Sequence, residues 1–542
     1  MESLKAAADA ASQRHGQKMA DPLLYNVPVY APCVVGRNMD VLNLWQNVLS
    51  GKHVQVLQGV DGLGKSTLLS EFCEHAKGAR RFTCIQWFNA QHSLKEQIAS
   101  FVVGMKGRQE QDVLLILDDV DDVEEALRLA PTHENVYLLL STSRPHQGAI
   151  VVPPLDRENV VAMLLGVAEV PASVATDIAE CVQDVPLLVI LCGKIVAKSP
   201  SCKKELLTAI ERAKVAAAGA LSISACLDIL VAVAVREIST RHPDGAAFLG
   251  GAACCHAGDL SPQMLSTLSP HATSLAKEAW EYGLFTHKWE TESYAMHDAV
   301  SRALRKRFGN HEAAAVGLLS LWPRRWRAMD SGGISKLVWH TLALAAVYQD
   351  DGVNFPVALV ACIDRAATYL SHLEGKEHLT AITLWRALCG HYQKQEVSSA
   401  AVHANKELGR LLYYVREFTE AKVVLQNALH LSRSVYGMES VETSMIMALF
   451  APFCEELDAE VGLSRAAATL AARSAGSDDG DEALGKEERQ ELQESLLTLL
   501  LVKAQLYVEH ERVVPQGLRE EIICVRASLE PPKPMERSQQ KV

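Results

Sequence analysis

Positions 59–67 carry the feature that most constrains this chain, a glycine-rich segment of the form G-x-x-x-x-G-K-[ST]. Its residues are Gly59, Val60, Asp61, Gly62, Leu63, Gly64, Lys65, Ser66 and Thr67. Residues 53–57 predict a short buried strand before the segment, and residues 66–75 predict a helix after it. A strand, a glycine-rich loop and a helix in this order form a phosphate-binding loop, because backbone N–H groups close around phosphate oxygens at the positive end of the helix. We therefore expect these residues to contact a bound nucleotide.

A pair of acids about fifty residues further along fits the same site. Residues 113–117 form an apolar strand that ends in Asp118 and Asp119, and a parallel sheet delivers the residues after its strand ends to the ligand edge. We expect Lys65 to reach the terminal phosphates. The Ser66 hydroxyl and the Asp118 carboxylate would hold Mg²⁺, and Asp119 would orient or deprotonate the attacking water.

Strands and helices alternate from about residue 33 to residue 154, with strands predicted over 54–58, 84–88, 113–117 and 136–141. Such alternation predicts an α/β fold with a mainly parallel sheet and helices on both of its faces. The last of these strands runs into Arg144, which we expect to lie near the γ-phosphate and report its presence. After residue 154 the pattern becomes helical, with one small hairpin predicted over 284–288 and 294–296.

Composition narrows the partners that the chain can have. The net charge is 53 − 65 = −12, so no global basic field draws the protein to nucleic acid or to an anionic membrane. The 13 cysteines include no C-x-x-C pair, which argues against zinc or a disulfide framework and indicates reduced thiols. The N-terminal residues lack the apolar core of a signal peptide, and the apolar runs 225–235 and 496–502 are too short to cross a bilayer. We expect a cytoplasmic protein without a nucleic-acid or membrane partner.

An internal repeat is indicated in the C-terminal half, because residues 370–388 align with residues 411–429 at a shift of about 41 residues. Each copy predicts two antiparallel helices, with small residues such as Gly409 and Ala421 where the helices must approach closely. The second copy resembles a tetratricopeptide repeat of the longer, kinesin-light-chain-like kind, and a third, degenerate copy is predicted over 449–470. An unrelated helical bundle is the alternative. Repeats of this kind would serve as a platform for protein partners.

Six short motifs follow one another in an order that has a recognisable identity. They are Val35-Gly36-Arg37 before a helix, the phosphate-binding loop, Leu-Asp-Asp at 117–119, Ser-Thr-Ser-Arg at 141–144, Asp184-Val185-Pro186-Leu187, and Tyr294-Ala295-Met296-His297-Asp298. Over roughly residues 31–310 the chain resembles NB-ARC proteins, which are STAND-class NTPases that include plant immune receptors and the animal apoptosome scaffold. Met-His-Asp at this distance after the Pro-Leu motif is the most discriminating element, because general AAA+ ATPases lack it.

The resemblance implies roles for single residues. Val35 and Arg37 would sit near the adenine, and Pro186 would pack beside the base and the ribose. His297 would hydrogen-bond the β-phosphate of ADP and so lock a closed form, while Asp298 would hold the local geometry at a helix start.

The chain departs from the family pattern at two motifs. Asp184 replaces the glycine of the usual Gly-Leu-Pro motif, and the sensor segment is Ser-Thr-Ser-Arg rather than Thr-Thr-Arg.

The pattern and the resemblance together predict an α/β P-loop NTPase domain followed by a helical domain, a winged-helix domain and an all-α repeat array. The segments would be a disordered tail over 1–30, the P-loop nucleotide-binding domain over 31–155, a helical ARC1-like domain over 156–220, the winged-helix domain over 221–310, tetratricopeptide-like helical repeats over 311–530 and a disordered tail over 531–542.

The function that the resemblance implies is a switch controlled by ADP and ATP, with Mg²⁺ as the metal. ADP would hold the closed state, and exchange for ATP would open the protein or let it form a homo-oligomer in signalling. Asp119 and Arg144 would be the catalytic residues of a slow regulatory ATPase. Two alternatives stay open: a nucleotide-binding scaffold without turnover, and an AAA+ initiator-type ATPase whose winged helix binds DNA.

Overall fold

A computed structural model describes most of the chain. The described residues are 23–25, 27–28, 35–90, 112–131, 133–168, 170–216, 222–289, 291–323, 331–350, 352, 354–373, 377–395, 397–438, 440–453 and 516–529, with single positions between 94 and 101 and between 464 and 500. The chain divides into two compact units, Met1–Cys362 and Ile363–Val542. The predicted tail over 531–542 and most of the third repeat copy lie outside the described residues.

A six-stranded sheet lies in the first unit, and all of its strand pairs are parallel. The strands are β1 (Leu23–Tyr25), β2 (Val54–Gln58), β3 (Cys84–Asn89), β4 (Val113–Asp118), β5 (Val136–Thr142) and β6 (Ile150–Val151). Their order across the sheet is β1-β3-β4-β5-β2-β6. The predicted parallel sheet is confirmed, and the four predicted strands agree with the structure to within one residue at each end.

Helices cover both faces of this sheet, as predicted. They are α1 (Asn38–Leu49), α2 (Lys65–Ala79) and α3 (Val123–Leu129). Strand β4 shows how the two cores are filled, because its residues alternate between them. Leu114 and Ile116 pack with α1 and α2, whereas Val113, Leu115 and Leu117 pack with α3. A strand that is buried on both faces must be apolar throughout, which explains the uninterrupted apolar run before the two acids.

The edge strand β1 corrects the prediction of a disordered tail over residues 1–30. Leu23–Tyr25 pairs in parallel with β3, in register with residues 84–86. The hydroxyl of Ser70 on α2 donates a 2.7 Å hydrogen bond to the carbonyl of Pro28, which ties the following segment to the domain. A strand of three residues is too short to show a hydropathy period, so the pattern could not reveal it.

Helices dominate the rest of the first unit. They are α4 (Arg157–Val167), α5 (Ala172–Cys181), α6 (Pro186–Lys198), a 3-10 turn (Pro200–Cys202), α7 (Lys203–Ala216), α8 (Ile223–Arg241), α9 (Gly245–Ala253), α10 (Pro262–Ser266), α11 (Ala272–Glu281), α12 (Asp298–Phe308), α13 (His311–Leu321) and α14 (Ser331–Asp350). Between α11 and α12 lies an antiparallel hairpin of β7 (Thr286–Lys288) and β8 (Ser293–Ala295). Leu260 bridges to Tyr294 beside this hairpin through two backbone hydrogen bonds of 2.7 and 3.0 Å.

Helix α14 packs in the first unit, although the sequence assigned it to the repeat array over 311–530. Lys336 forms an ion pair of 2.9 Å with Asp259, and the backbone N–H of His256 donates to Nδ1 of His340 at 3.1 Å. The amphipathic pattern of such a helix identifies a buried face but not the element that covers it.

The remaining helices are α15 (Val357–Ser371), α16 (Glu377–Tyr392), α17 (Ser399–Tyr414), α18 (Phe418–Tyr436), α19 (Val441–Phe450), a 3-10 turn (Ala451–Phe453) and α20 (Gln516–Leu529). Within the second unit, Tyr413 of α17 meets Phe418 at the start of α18 edge to face, with ring centroids 5.5 Å apart. Further back along α17, a Cβ on Gly409 would lie 2.5 Å from Leu425. Residues earlier in α17 contact residues later in α18, so the two helices are antiparallel. Gly409 allows them to approach closely.

Among the helices of the described residues, none combines the length and the apolar character needed to cross a bilayer.

Candidate functional site

Three neighbouring strands bring the predicted phosphate and metal residues to one edge of the sheet. β4, β5 and β2 are adjacent, and their register pairs Leu117 with Leu140 and Gln58 with Thr142. Asp118 and the phosphate-binding loop follow these pairs directly. They therefore lie side by side at the carboxyl edge, where open α/β sheets bind ligands.

Glycines set the conformation of the phosphate-binding loop at two positions. Gly62 and Gly64 adopt φ angles of +84° and +88°, in the left-handed region that favours glycine. A Cβ on Gly62 would lie 2.9 Å from the Cβ of Leu187, so a larger residue would push the loop away from the neighbouring helix. The carbonyl of Gly64 accepts the first hydrogen bond of α2, from the N–H of Leu68 at 2.9 Å. The loop thus ends at a helix N-terminus, with Thr67 in the first turn.

Lys65 places a buried cation at this helix end. Its side chain is 6% exposed, and Nζ donates to the carbonyl of Val60 at 3.3 Å and lies 3.6 Å from Oδ1 of Asp61. A cation at the positive end of a helix is unfavourable without an accompanying anion. A buried ammonium, a helix N-terminus and the N–H groups of the loop therefore fit an anionic ligand such as a polyphosphate.

Asp118 is buried at the end of β4. Its Oδ1 accepts hydrogen bonds from the Ser66 hydroxyl at 3.0 Å and from the Ser141 hydroxyl. Burial raises the pKa of this carboxyl to about 6, whereas the two hydroxyl donors and Lys65 favour its charged form. The described residues contain no cluster of three or more His, Cys, Asp or Glu side chains suited to a metal. One hydroxyl and one carboxylate oxygen are instead the kind of set that Mg²⁺ takes beside substrate phosphates.

Ser141 joins the two acids and was not among the predicted site residues. Its buried hydroxyl donates to Asp118 and accepts the backbone N–H of Asp119 at 2.9 Å. Asp119 has a φ of +60°, so the chain turns sharply at the strand end. Strand register is the signal that could have located Ser141, since the residue after Leu140 lies beside the residue after Leu117.

Arg144 lies at the same edge of the sheet, on the loop after β5. Its backbone N–H donates to the Thr142 hydroxyl at 3.0 Å. Its side chain is 68% exposed and pairs at 3.5 Å with Asp121, which is 85% exposed. Such an exposed pair contributes little stability, so the guanidinium can turn toward a ligand at little cost.

Arg37 supports the phosphate-binding loop from behind. Its buried guanidinium donates to the carbonyl of Leu63 at 2.7 Å and to that of Pro153 at 2.9 Å, and it pairs with Asp40 at 3.0 Å. Val35, two residues earlier, is half-buried. The structure thus gives Arg37 a part in fixing the loop, while contact of both residues with adenine stays a prediction.

The N-terminus of α6 covers the outer side of the loop. The backbone N–H of Leu187 donates to the carbonyl of Gly62 at 3.3 Å. Pro186 occupies the first turn of α6, where a missing N–H costs nothing. Pro186 is therefore next to a residue that contacts the phosphate-binding loop, and its contact with base and ribose stays a prediction.

Asp184 adopts a left-handed backbone conformation. Its φ is +56°, in the left-handed region that glycine adopts without strain and aspartate adopts more readily than most residues. Its carboxylate accepts a bidentate pair of hydrogen bonds from Arg157, at 2.5 and 2.8 Å. The departure from the Gly-Leu-Pro pattern therefore places a carboxylate at a position that glycine could also occupy.

His297 is the N-cap of α12. Its Nδ1 accepts the backbone N–H of Ala299 at 3.2 Å, so the proton of the neutral ring lies on Nε2, which can donate. His297 is exposed as a residue, while protein atoms surround its ring. Desolvation by these atoms lowers its pKa, whereas Asp61 and Asp119 act in the opposite direction. His297 begins the helix whose Arg302 contacts the phosphate-binding loop, and contact of His297 with a phosphate stays a prediction.

Arg302 makes the direct contact between α12 and the phosphate-binding loop. Its Nη2 lies 2.5 Å from Oδ2 of Asp61, and the two side chains are 45% and 34% exposed. Arg302 was not among the site residues predicted from the sequence. Its partner is 241 residues away, so no local pattern could identify it.

Comparisons with known proteins found similarity to solved structures. No protein-family model and no curated protein matches the chain. Among solved structures, the chain is similar to a Signal Transduction ATPase with Numerous Domains (STAND) protein with a tetratricopeptide repeat sensor from Pyrococcus horikoshii. The similarity covers 93% of this chain and 78% of that chain, at 10% sequence identity and a TM-score of 0.45. At these values the similarity assigns neither a family nor a function to this chain.

Proposed function

We propose that the protein is a molecular switch of the NB-ARC/STAND type, controlled by ADP and ATP and acting in signalling. The observation that carries the proposal is the approach of α12 to the phosphate-binding loop. Arg302 of α12 pairs with Asp61 at 2.5 Å, and His297 is the N-cap of the same helix. A nucleotide held by the loop would therefore meet α12 as well, so its phosphates could control how α12 is held.

The sheet side of the site supplies the groups for binding and for slow hydrolysis. Lys65 and the loop N–H groups would bind the phosphates, and Ser66 and Asp118 would hold Mg²⁺. When bound, Mg²⁺ would neutralise part of the phosphate charge. Asp119 would orient or deprotonate a water, and Arg144 would turn toward the γ-phosphate.

The helical side supplies the groups that distinguish the closed state. His297 would donate its Nε2 proton to the β-phosphate of ADP, and Pro186 would pack beside the base and ribose. Val35 and Arg37 would border the adenine. The element order before His297 supports a winged-helix domain, because α9, the bridging residue Leu260, α10, α11 and the β7–β8 hairpin follow one another. Replacement of ADP by ATP would bring the γ-phosphate near Arg144 and release α12.

The energy that such a switch needs is within the reach of a few hydrogen bonds to phosphate. Reversing a population from 1:99 to 99:1 takes about 5.5 kcal/mol of differential binding. Hydrogen bonds to charged groups contribute about 1.5 to 3 kcal/mol each. Two to four such hydrogen bonds that form in one state and are absent from the other would therefore suffice.

Charge distribution disfavours the alternative in which the winged helix binds DNA. Helix α11, at the position of a recognition helix, carries Lys277 beside Glu278 and Glu281. These acids are in turn engaged within the chain, Glu278 by Arg241 at 3.4 Å and Glu281 by Lys198. A DNA-binding helix instead presents cations to phosphates.

The second unit would carry the partner-binding function. Its antiparallel helix pair fits a tetratricopeptide-like array that binds protein partners, and ATP would favour a homo-oligomer of the open form. We propose the cytoplasm as the compartment. The scaffold alternative shares the bound nucleotide but lacks exchange and turnover.

The test begins with nucleotide extracted from the purified full chain. We expect stoichiometric ADP, and a larger particle by gel filtration with a non-hydrolysable ATP analogue than with ADP. Protein that carries no nucleotide and binds neither ADP nor ATP would overturn the proposal. Protein that binds ADP but shows no exchange, turnover or change of size would establish the scaffold alternative.

The His297→Ala variant tests the closed state directly. Loss of one phosphate contact should raise the ADP dissociation rate about tenfold, the factor expected for a single charge-assisted hydrogen bond. His271→Ala is the matched control, because His271 is also a helix N-cap, on α11. An unchanged rate in His297→Ala, or an equal change in both variants, would contradict the role of His297.

A further inference from the structure

Asp61 lies between two cations that come from different parts of the chain. Its Oδ1 is 3.6 Å from Nζ of Lys65 within the same loop, and its Oδ2 is 2.5 Å from Nη2 of Arg302 on α12. The two carboxylate oxygens are thus divided between the phosphate-binding lysine and the helix that covers the loop.

A carboxylate at this position is unfavourable for a loop that binds phosphates, because like charges repel at short range. In the described structure Lys65 offsets part of that charge. A phosphate that engages Lys65 would draw the lysine away from Asp61 and add negative charge beside it. Arg302 would then be the cation that neutralises Asp61, and it can do so only while α12 rests on the loop.

We propose that the Asp61–Arg302 ion pair couples nucleotide affinity to the position of α12. The inference rests on the proposed function and deepens it. When α12 rests on the loop, Arg302 masks the repulsion between Asp61 and the phosphates, and the nucleotide is held more tightly. When α12 leaves, Asp61 is unmasked and the nucleotide is held less tightly. Because coupling is reciprocal, the bound nucleotide strengthens the hold on α12 by the same factor.

The expected coupling is modest, since both side chains are partly exposed. Pairs of this kind change an equilibrium by about two- to fivefold, and salt screens them. The phosphate contacts therefore make the main contribution to switching, and the ion pair makes a smaller one. Its expected effect is a small change in nucleotide affinity that disappears at high ionic strength.

The first experiment measures the affinity of the full chain for a fluorescent ADP analogue at 50 mM and at 500 mM salt. Arg302→Ala should weaken binding about threefold at low salt and leave it nearly unchanged at high salt. Arg302→Lys should restore most of the affinity. Lys306→Ala is the matched control, because Lys306 lies one turn further along α12 and pairs with Asp228 at 3.3 Å. This control should bind like the original chain.

The Asp61→Asn background decides whether Arg302 acts through Asp61. Without the carboxylate there is no repulsion to mask, so Arg302→Ala should have no further effect in this background. An equal loss of affinity in both backgrounds would show that Arg302 contacts the phosphates directly and would overturn the coupling. A loss that persists unchanged at high salt would overturn it too.

A second experiment reads the contact in the absence of nucleotide. Backbone hydrogen exchange of residues 59–66 should become faster in Arg302→Ala, stay near the original rate in Arg302→Lys and stay unchanged in Lys306→Ala. Exchange that is identical in all three variants would overturn the contact itself. Failure of the unmodified chain to bind any nucleotide would instead remove the proposed function, while this exchange experiment would still decide the Asp61–Arg302 contact.

Discussion

The two walls of the candidate cleft are built in different ways. On the sheet wall, Lys65 and Asp118 are each 6% exposed, and Asp118 accepts hydrogen bonds from Ser66 and from the buried Ser141. On the helix wall, Arg302 is 45% exposed and reaches the loop through an ion pair with Asp61. Buried hydrogen-bonded groups are costly to disturb, whereas exposed ion pairs are not. Lys65 and Asp118 on the sheet wall are therefore held in place, whereas α12, which forms the helix wall, can separate from the loop.

The largest expected effect on nucleotide affinity comes from a substitution in the sheet wall. Lys65→Ala removes the buried cation, and we expect affinity for ADP to fall by about 100-fold, as for the loss of a strong charge-assisted contact. Isothermal titration measures this. Lys77→Ala is the control, because Lys77 lies on the same helix with 46% of its side chain exposed. Stoichiometric ADP on purified Lys65→Ala protein would show that the phosphate-binding loop has been assigned wrongly.

Acid should loosen the helix wall before the sheet wall. His340 of α14 is buried and accepts the N–H of His256, just after the helix α9 that packs on α12. Burial lowers its pKa from 6.5 to about 4, against the nearby Asp259 and together with the nearby Lys336. Between these values the unfolded chain binds a proton that the folded chain does not. Stability is therefore complete above pH 6.5 and falls as the pH drops toward 4, by up to about 3 kcal/mol.

Hydrogen exchange at pH 7.5 and pH 5 checks this difference between the walls. Amides of α9 and α14 should exchange faster at pH 5 relative to those of β4 and β5. His340→Asn keeps an acceptor near Nδ1 but cannot take up a proton, so it should remove most of the pH dependence. Equal loosening of both walls, or an unchanged pH dependence in the variant, would contradict the assignment to His340.

A smaller effect is expected within the sheet wall at Ser141. Ser141→Ala removes a donor to Asp118 and the acceptor of the Asp119 N–H, and a buried group left without its partner costs about 1 to 3 kcal/mol. Urea unfolding should show a loss of about 2 kcal/mol, with a weaker dependence of ADP binding on Mg²⁺. The exposed Ser143→Ala is the control. Equal stability of the two variants would show that Ser141 does not hold the acids in place.

The smallest expected effect concerns the turn before α6. Asp184→Gly relieves the left-handed backbone but loses the Arg157 pair and adds freedom to the unfolded chain, so stability should change by less than about 0.5 kcal/mol. Asp184→Ala keeps the strain and loses the pair, and should cost about 1 kcal/mol. Thermal unfolding separates the two. Identical losses would show that the positive φ is not what constrains this position.

The sheet wall could be predicted from sequence because its rules are local. The glycine pattern, the apolar run and the two acids each lie within a few residues, and parallel sheets place their strand ends at one edge. Ser141 was not predicted, because its role depends on the register between two strands. The hydropathy of either strand carries no information about that register.

The site residues of the helix wall were harder to predict from local sequence patterns. His297 and Pro186 were located only through the resemblance to NB-ARC proteins. Arg302 meets Asp61 through the packing of elements that are far apart in the chain, and side-chain chemistry alone allows many such pairs. For Arg37, the sequence identified the residue but not its contacts. Its hydrogen bonds to the carbonyls of Leu63 and Pro153 appear only in the folded structure.

The three-residue strand β1 has a practical consequence for anyone who shortens this protein. It occupies the outer edge of β3, so a chain begun after residue 30 would leave the amides and carbonyls of residues 84–86 uncovered. An uncovered apolar edge is a template on which another molecule can add a strand. Shortened protein would therefore self-associate and scatter light, a behaviour easily mistaken for nucleotide-driven assembly.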